Sequence, residues 1–229
     1  MIDIHSHIIP FVDDGSSSFE QSLKMIDEAM KQGITDIICT PHYRKNVFSV
    51  NIEEIKKQFM MLKEQTQEKA IRLFLGQEIY CHKNEEVMEL LHNGVVVTLN
   101  NSNFILLEFS YLDKIDISEI AYVAVLKGYM PIIAHIERYR YLDLETVKEI
   151  KNSGGFIQVN ASSLVGKEGA KLKKFVFALL KEKLVDFVAS DIHEKRQNWM
   201  NKAYNIVVKK FGQDYGQRIF NDNALRILS

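Results

Sequence analysis

The feature that most constrains the fold is an alternation of short apolar runs with longer amphipathic stretches along the 229 residues. The runs are rich in β-branched and aromatic residues, which is typical of buried parallel strands. They occupy residues 2–5, 34–40, 71–79, 104–109, 131–136, 155–160 and 185–190. The amphipathic stretches, typical of helices, occupy residues 18–31, 52–69, 84–92, 117–127, 144–151, 170–183 and 198–211. Repetition of strand and helix predicts a parallel sheet with helices outside it.

Composition and charge set the class of protein. Hydrophobic residues make up 46% and charged residues 26% of the chain, as in ordinary globular proteins. The 29 basic and 30 acidic residues give a net charge of −1, which disfavours a nucleic-acid binder. With 3 prolines and no Ser/Gly/Pro-rich stretch, we expect a single domain over residues 1–229.

The cellular compartment is predicted from the cysteines and the amino terminus. Cys39 and Cys81 form neither a CxxC pair nor a disulfide framework, which suits a reducing compartment. The amino terminus has no apolar run long enough for a signal peptide or a membrane span. We therefore expect a cytoplasmic protein that does not insert into membranes, and the sequence leaves open a homo-oligomer.

Polar side chains, mostly of types that bind metals, end all of the apolar runs, and five of the seven histidines are among them. These residues are His5, His7, His42, Gln77, Glu78, Glu108, His135, Asn160, Asp191 and His193. In a barrel, functional groups stand at the carboxyl ends of many strands, whereas an open doubly wound sheet collects them at one switch point. The spread favours a barrel, and the length, below the ~250 residues of an eight-stranded barrel, suits seven strands.

The residue types at these strand ends indicate a site for several metal ions. His5 and His7 are two residues apart at the end of a strand, so both project the same way and can chelate one ion. Asp191 and His193 have the same spacing. Glu78 ends a hydrophobic strand, where an unpaired charge would be costly. A set of His, Asp and Glu without thiolates indicates Mn, Zn or Fe, and its size indicates two or three ions.

Motifs around these residues resemble the polymerase and histidinol phosphatase (PHP) superfamily. They are IDIHSH at 2–7, DDG at 13–15, TPH at 40–42, GQEI at 76–79, LEF at 107–109, AHIER at 134–138 and ASDIH at 189–193. Over its whole length the chain is similar to the metal-dependent protein-tyrosine phosphatases encoded with capsule and exopolysaccharide genes in Gram-positive bacteria. The resemblance implies a distorted seven-stranded (β/α)7 TIM-like barrel, with helices outside and a trinuclear site, usually described with manganese, at the carboxyl ends of the strands.

The resemblance also implies roles for individual residues. The first ion would be held by His5, His7, Glu78 and Asp191. The second would share Glu78 and add Glu108 and His135. The third would be held by Asp14, His42 and His193. Catalytic roles are expected for Arg138, Glu78 and His42, and substrate binding for Arg138. Substrate binding is also expected for Arg44, because it lies just beyond His42, and for Arg196, although Arg196 follows His193 by only three residues and the family often has its arginine several residues on. An arginine fork suits phosphate, although Arg138 as a surface residue capping a helix is the alternative.

The expected reaction is hydrolysis of phosphotyrosine by a hydroxide on the ions, which lower the pKa of bound water to about 7. No Cys-x5-Arg motif occurs, which excludes a phosphocysteine mechanism. The resemblance implies that the partner is an autophosphorylating bacterial tyrosine kinase that regulates capsule or exopolysaccharide synthesis. Alternatives are a small-molecule phosphatase of the histidinol-phosphatase type, a phosphodiesterase or nuclease, and a catalytically silent binding module. The charge balance disfavours the nuclease.

Overall fold

A computed structural model describes residues 1–229, apart from the side chains of residues 84 and 85. Its strands are β1 (Ile2–Ser6), β2 (Asp36–Cys39), β3 (His42–Tyr43), β4 (Arg72–Leu75), β5 (Glu78–Tyr80), β6 (Phe104–Glu108), β7 (Met130–Ile133), β8 (Phe156–Asn160) and β9 (Phe187–Ala189). Its α-helices are α1 (Phe19–Lys31), α2 (Ile52–Gln65), α3 (Asn84–His92), α4 (Ile117–Leu126), α5 (Leu144–Asn152), α6 (Ala161–Val165), α7 (Ala170–Lys181), α8 (Met200–Phe211), α9 (Gln213–Gln217) and α10 (Asn223–Leu228).

The strands pair in parallel in two sheets, of order β1-β2-β4 and β3-β5-β6-β7-β8-β9. The two sheets meet where β1 runs beside the segment that follows β9. Asp191 N donates to His5 O at 2.9 Å, and His7 N donates to Ile192 O at 3.0 Å. The result is an α/β fold with a curled parallel sheet, which confirms the predicted class.

The sheets contain more and shorter strands than expected, because the structure divides the predicted strand 71–79 into β4 and β5 and adds β3 beyond the predicted strand 34–40. The run 34–40 ends with β2 because Pro41 lacks a backbone N–H, and β3 starts after it in the other sheet. Gly76 separates β4 from β5, and a Cβ there would lie 2.5 Å from a methyl group of Leu99. Each break moves the strand pairing from one sheet to the other.

All of the amphipathic stretches form helices, several of them capped by a side chain. Ser18 accepts a hydrogen bond from Gln21 N at the start of α1, and Asp143 accepts one from Thr146 N at the start of α5. The sequence did not predict α6, α9 or α10, which are too short to show a helical period. No helix in the described chain is both long and apolar enough to cross a bilayer.

Two hydrophobic clusters lie on opposite faces of the sheet. One face packs against most of the helices. The other, here called the inner face, packs against α10. The inner face and α10 together form an apolar layer of Ile2, Ile4, Ile38, Leu99, Phe104, Leu106, Ile132, Ala134, Phe187, Ala189, Ala224 and Ile227. Because Ile2, Phe104 and Phe187 stand at or near the starts of their strands, α10 closes the amino-terminal end of the inner face.

Candidate metal centre

Alternate residues of a strand point to the same side. On three strands, the residues that point to the inner face are apolar at the start of the strand and polar at its end. The series are Phe104, Leu106 and Glu108 in β6, Phe156, Gln158 and Asn160 in β8, and Phe187 and Ala189 in β9 followed by Asp191 two residues beyond its end. The carboxyl ends of parallel strands meet at one edge. Polar side chains from these and other strands therefore converge there into what we call the polar layer: His5, His7, Asp14, His42, Glu78, Glu108, His135, Asp191 and His193.

The four residues of the first predicted ion lie together. His5 Nε2 is 3.1 Å from His7 Nε2, and the two nitrogens lie 3.2 and 3.3 Å from Glu78 Oε2. Asp191 Oδ1 is 3.7 and 3.5 Å from the same nitrogens. The pairing of β1 with β2 is irregular between Asp3 and Ser6. Strict alternation would point His5 away from the side of Ile4, and the irregularity accounts for its place in the polar layer.

Glu78 also lies beside the second predicted group. His135 Nε2 is 2.9 Å from Glu78 Oε1 and 3.9 Å from Glu108 Oε1. His42 Nδ1 is 2.9 Å from Glu78 Oε2 and 3.8 Å from Glu108 Oε2. The carboxylate of Glu78 thus contacts imidazoles on both of its oxygens, as a bridging ligand requires. His42, predicted in the third group alone, faces Glu78 as well.

The third predicted group lies at the solvent edge. Asp14 Oδ1 is 3.6 Å from His42 Nε2 and 3.5 Å from His193 Nε2, and the Asp14 side chain is 57% exposed. The ring of His7 stacks on that of His193 at 4.2 Å, and ring nitrogens of His7, His42 and His193 lie within 4.8 Å of one another. These histidines could hold an ion that remains open to solvent.

Three histidines are oriented by hydrogen bonds on the ring nitrogen that faces away from the centre. His7 Nδ1 donates to Asp13 Oδ2 at 2.8 Å, His5 Nδ1 to Gln158 Oε1 at 3.1 Å, and His193 Nδ1 to its neighbour's backbone oxygen, Asp191 O, at 3.1 Å. Each bond leaves the Nε2 lone pair directed at the polar layer. Metal-binding histidines are held in this way. The sequence analysis missed Asp13 and Gln158 as orienting residues.

The turn 13–15 explains why Asp13 and Asp14 take different positions. Asp13 accepts hydrogen bonds from Gly15 N at 2.9 Å and His42 N at 3.0 Å, which hold it inside. A Cβ on Gly15 would lie 2.1 Å from His7 O, so only glycine fits. Burial raises the pKa of Asp13, but His7 and His42 outweigh it and bring the pKa to about 2. The DDG motif is the sequence signal that could have identified this residue.

The donor atoms of the polar layer fit metal ions. Glu78 is fully buried, and its Oε2 makes no hydrogen bond to any described atom, although three imidazole nitrogens lie within 3.3 Å. Burial alone would raise its pKa, yet His5 and His42 hold the pKa well below the usual range. A fully buried, ionised carboxylate needs positive charge close to it, which an ion bound by these imidazoles would supply. Nitrogen and oxygen donors without sulfur suit Mn, Fe or Zn.

Two residues of the polar layer occupy strained backbone positions. His135 has φ 30° and Asp191 has φ 49°, in the left-handed region that non-glycine residues rarely adopt. Each follows a strand, β7 and β9 respectively, at the point where the chain leaves the sheet. Strain of this kind persists where the surrounding structure fixes it, and it often marks functional sites.

The three arginines predicted to bind substrate line one cavity of about 190 Å³ at the polar layer. Arg138 Nη1 and Arg196 Nη1 each lie 2.8 Å from Asp191 Oδ2, whose partner oxygen faces the histidines. Arg138 also pairs with Glu168 at 3.3 Å, and its side chain is 17% exposed, so it is not a solvated surface residue. Burial raises the pKa of Asp191, but Arg138, His5 and Arg196 bring the pKa well below its usual value.

The wall of the cavity includes Tyr111, which the sequence analysis also missed. Its hydroxyl donates to Glu108 Oε1 at 2.6 Å. The ring lies edge-on to His135 and stacks on Tyr139 at 5.8 Å. Burial and the neighbouring Glu108 raise the pKa of Tyr111, so it remains a hydrogen-bond donor at neutral pH.

The chain is similar to known proteins over most or all of its length. Residues 1–229 match the family described as capsular polysaccharide synthesis, CpsB/CapC. Tyrosine-protein phosphatase CpsB of Streptococcus agalactiae serotype V is 37% identical, with 100% of this chain and 98% of the relative covered. Tyrosine-protein phosphatase YwqE of Bacillus subtilis is 34% identical, with 93% and 86% covered.

A solved structure is similar over the same length. It comes from work on YwqE of Bacillus subtilis and CpsB of Streptococcus pneumoniae, described as unique metal-dependent tyrosine phosphatases. It superposes with a TM-score of 0.92 and 31% identity, covering 100% of this chain and 94% of that one. With its curled sheet, its histidine-rich polar layer and these relatives, the chain belongs to the CpsB/CapC family of capsular polysaccharide synthesis.

Proposed function

We propose that this protein is a metal-dependent tyrosine-protein phosphatase, a phosphoric monoester hydrolase acting on phosphotyrosyl proteins. The observation that carries the proposal is the buried carboxylate of Glu78, which lies among four imidazoles beside a cavity lined by three arginines. The relatives above, which are matched over nearly their whole length, are tyrosine-protein phosphatases by name.

The polar layer would hold two or three ions, for which we propose manganese. His5, His7, Glu78 and Asp191 would bind the first, and Glu78, Glu108 and His135 the second. Asp14, His42 and His193 would bind the third. Ions in such a cluster activate water and neutralise charge on phosphoryl oxygens.

The other residues of the cavity bind and orient the substrate. Arg138, Arg196 and Arg44 line the cavity, and their guanidinium groups would receive phosphate oxygens. Tyr111 holds Glu108 through its hydroxyl, which fixes one carboxylate oxygen and leaves the other directed toward His42. Phenolate, with a pKa of about 10, leaves phosphorus with less help from a general acid than an alkoxide needs.

We further infer that residues 1–229 form one domain with a seven-stranded barrel. The nine strands would count as seven because β2 with β3, and β4 with β5, would each form one bent strand of the barrel. We propose that the physiological substrate is an autophosphorylating tyrosine kinase of the capsule or exopolysaccharide system, and that the phosphatase acts on it in the cytoplasm. The family description, which concerns capsular polysaccharide synthesis, supports this partner.

The test is turnover of three substrates by one preparation: a phosphotyrosyl peptide, histidinol phosphate and a nucleotide diester. We expect chelation to abolish peptide hydrolysis and Mn²⁺ to restore it better than Mg²⁺, because imidazole-rich sites favour transition ions. Preference for histidinol phosphate would assign the protein to small-molecule metabolism instead. Full activity in excess chelator after dialysis would contradict the metal site.

A further inference from the structure

We propose that a groove beside the metal cavity binds the acidic segment of a polypeptide that flanks the phosphotyrosine, and we call it the docking groove. It rests on the proposed function, because it supplies the protein part of the substrate for the same site. The groove has a volume of about 750 Å³. Its wall includes Tyr111 and Arg138, which also line the metal cavity. A chain leaving the cavity can therefore enter the groove directly.

The two cavities differ in size, which suits the binding of different parts of a substrate. The metal cavity, at about 190 Å³, has about a quarter of the volume of the docking groove. A phosphorylated protein presents several residues on each side of its phosphotyrosine, and these need a surface of their own. Such a surface would give polypeptides extra binding that small phosphate esters cannot use.

Much of the lining of the docking groove is apolar. Leu142, Leu172 and Phe175 line it and are half-buried, and Leu112 stands at its edge with 81% of its surface exposed. Together these four side chains form a contiguous apolar surface, which is the feature that marks interaction sites. These side chains suit the aliphatic or aromatic residues of a peptide.

The charge at the rim decides which peptide fits. Arg140 and Lys171 are exposed, and neither forms an ion pair with any carboxylate whose side chain the structure describes. The two carboxylates that line the groove are engaged elsewhere. Glu168 pairs with Arg138 and accepts a hydrogen bond from Ser162, and Glu137 is 2% exposed and accepts one from Asn160 N. The groove therefore presents two unpaired cations, which favour an acidic segment.

The proposal is tested with the double variant Arg140→Glu/Lys171→Glu in the Mn²⁺-loaded protein. The substrates are a phosphotyrosyl peptide with acidic flanks, the same peptide with lysine flanks, and p-nitrophenyl phosphate. For the wild type we expect KM for the acidic peptide to be at least about tenfold lower than for the basic one, a preference that shrinks as salt rises from about 0.05 to about 0.5 M. The double variant should reverse the preference and keep p-nitrophenyl phosphate kinetics within about twofold, because that ester does not reach the groove.

The matched control is Lys181→Glu on the same helix, α7. Lys181 is exposed and lies ten residues after Lys171, about 15 Å along the helix axis, which exceeds the screening length of about 8 Å at physiological salt. The Lys181→Glu variant should leave KM for both peptides unchanged. A second variant, Leu112→Ser, should weaken binding of both peptides without changing turnover of p-nitrophenyl phosphate.

Each contrary outcome is distinct. Equal KM values of the wild type for the two peptides would overturn the docking groove and leave the phosphatase intact. Equal losses on peptide and p-nitrophenyl phosphate in the double variant would place Arg140 and Lys171 in the metal site and also overturn it. If the wild type hydrolyses none of the substrates, the proposed function fails. Fluorescence anisotropy with non-hydrolysable phosphonate versions of both peptides then decides the groove alone, since tighter binding of the acidic one supports it and equal binding refutes it.

Discussion

The two layers of the inner face are built on the same strands and differ in almost every physical property. In β6, Phe104 and Leu106 pack in the apolar layer with α10, and two residues later Glu108 stands in the polar layer. The apolar layer removes hydrocarbon from water, whereas the polar layer buries charges that repel or attract one another strongly. The contrast teaches that one strand can serve stability at its start and chemistry at its end. Substitutions in the two layers should therefore have separable effects.

The largest effect is expected from Glu78→Gln in the polar layer. The amide keeps the shape but cannot supply two anionic oxygens to two ions, so kcat should fall by about 10³-fold or more, or at least about 4 kcal/mol. Bound metal, measured by elemental analysis, should fall as well. Glu89→Gln, at an exposed position of α3, is the control and should change neither quantity. Similar results for the two variants would remove Glu78 from the ligand set.

In the apolar layer, Leu106→Ala should act on stability instead. Leu106 is fully buried, and deleting its side chain leaves a cavity that costs about 2–5 kcal/mol in the free energy of unfolding. Urea denaturation measures the loss, and kcat per folded molecule should stay near the wild-type value. The control is Leu225→Ala in α10, which is 46% exposed and should cost far less. A drop in kcat without a loss of stability would show that the two layers are not separable.

At the boundary of the polar layer, Arg138→Ala should lower kcat/KM. The loss should correspond to a rise of about 2–4 kcal/mol in the activation free energy, as expected for losing one preorganised donor. Arg138→Lys should restore only part of this, because an ammonium group cannot make the bidentate contact. Melting temperature and metal content are measured alongside. If the alanine variant sheds metal while its remaining loaded fraction turns over normally, Arg138 acts only by holding Asp191 and Glu168.

A smaller effect is expected one step outside the polar layer, from Asp13→Ala. Asp13 orients His7 and binds the backbone of His42, so its loss should weaken metal affinity by about 10- to 100-fold. Titration of the metal-free protein with Mn²⁺ measures this change. Activity at saturating Mn²⁺ should recover most of the wild-type value. Unchanged affinity would mean that the turn 13–15 holds His7 without help from the carboxylate.

Much of the fold and of the candidate site could be predicted from sequence because both depend on local spacing. Hydrophobic runs and helical periods located the strands and the longer helices, and residues at the strand ends marked the polar layer except for Asp14, which only the family resemblance assigned. The breaks at Pro41 and Gly76 were less predictable, since each changes which neighbour a strand pairs with. Asp13 and Gln158 were missed because the sequence analysis looked for metal ligands. These two residues instead orient ligands, by accepting hydrogen bonds from His7 and His5.

The sequence by itself determined the α/β class, the order of the elements and the chemical types gathered at the carboxyl ends of the strands. These follow from residue periodicity within a few positions of the chain. Only the tertiary structure decided how the groups meet. His5 contacts Gln158, 153 residues away, and Arg138 contacts Asp191 and Glu168. Such contacts depend on strand register, the irregularity in β1 and the curl of the sheet, where a one-residue shift turns a side chain to the other face.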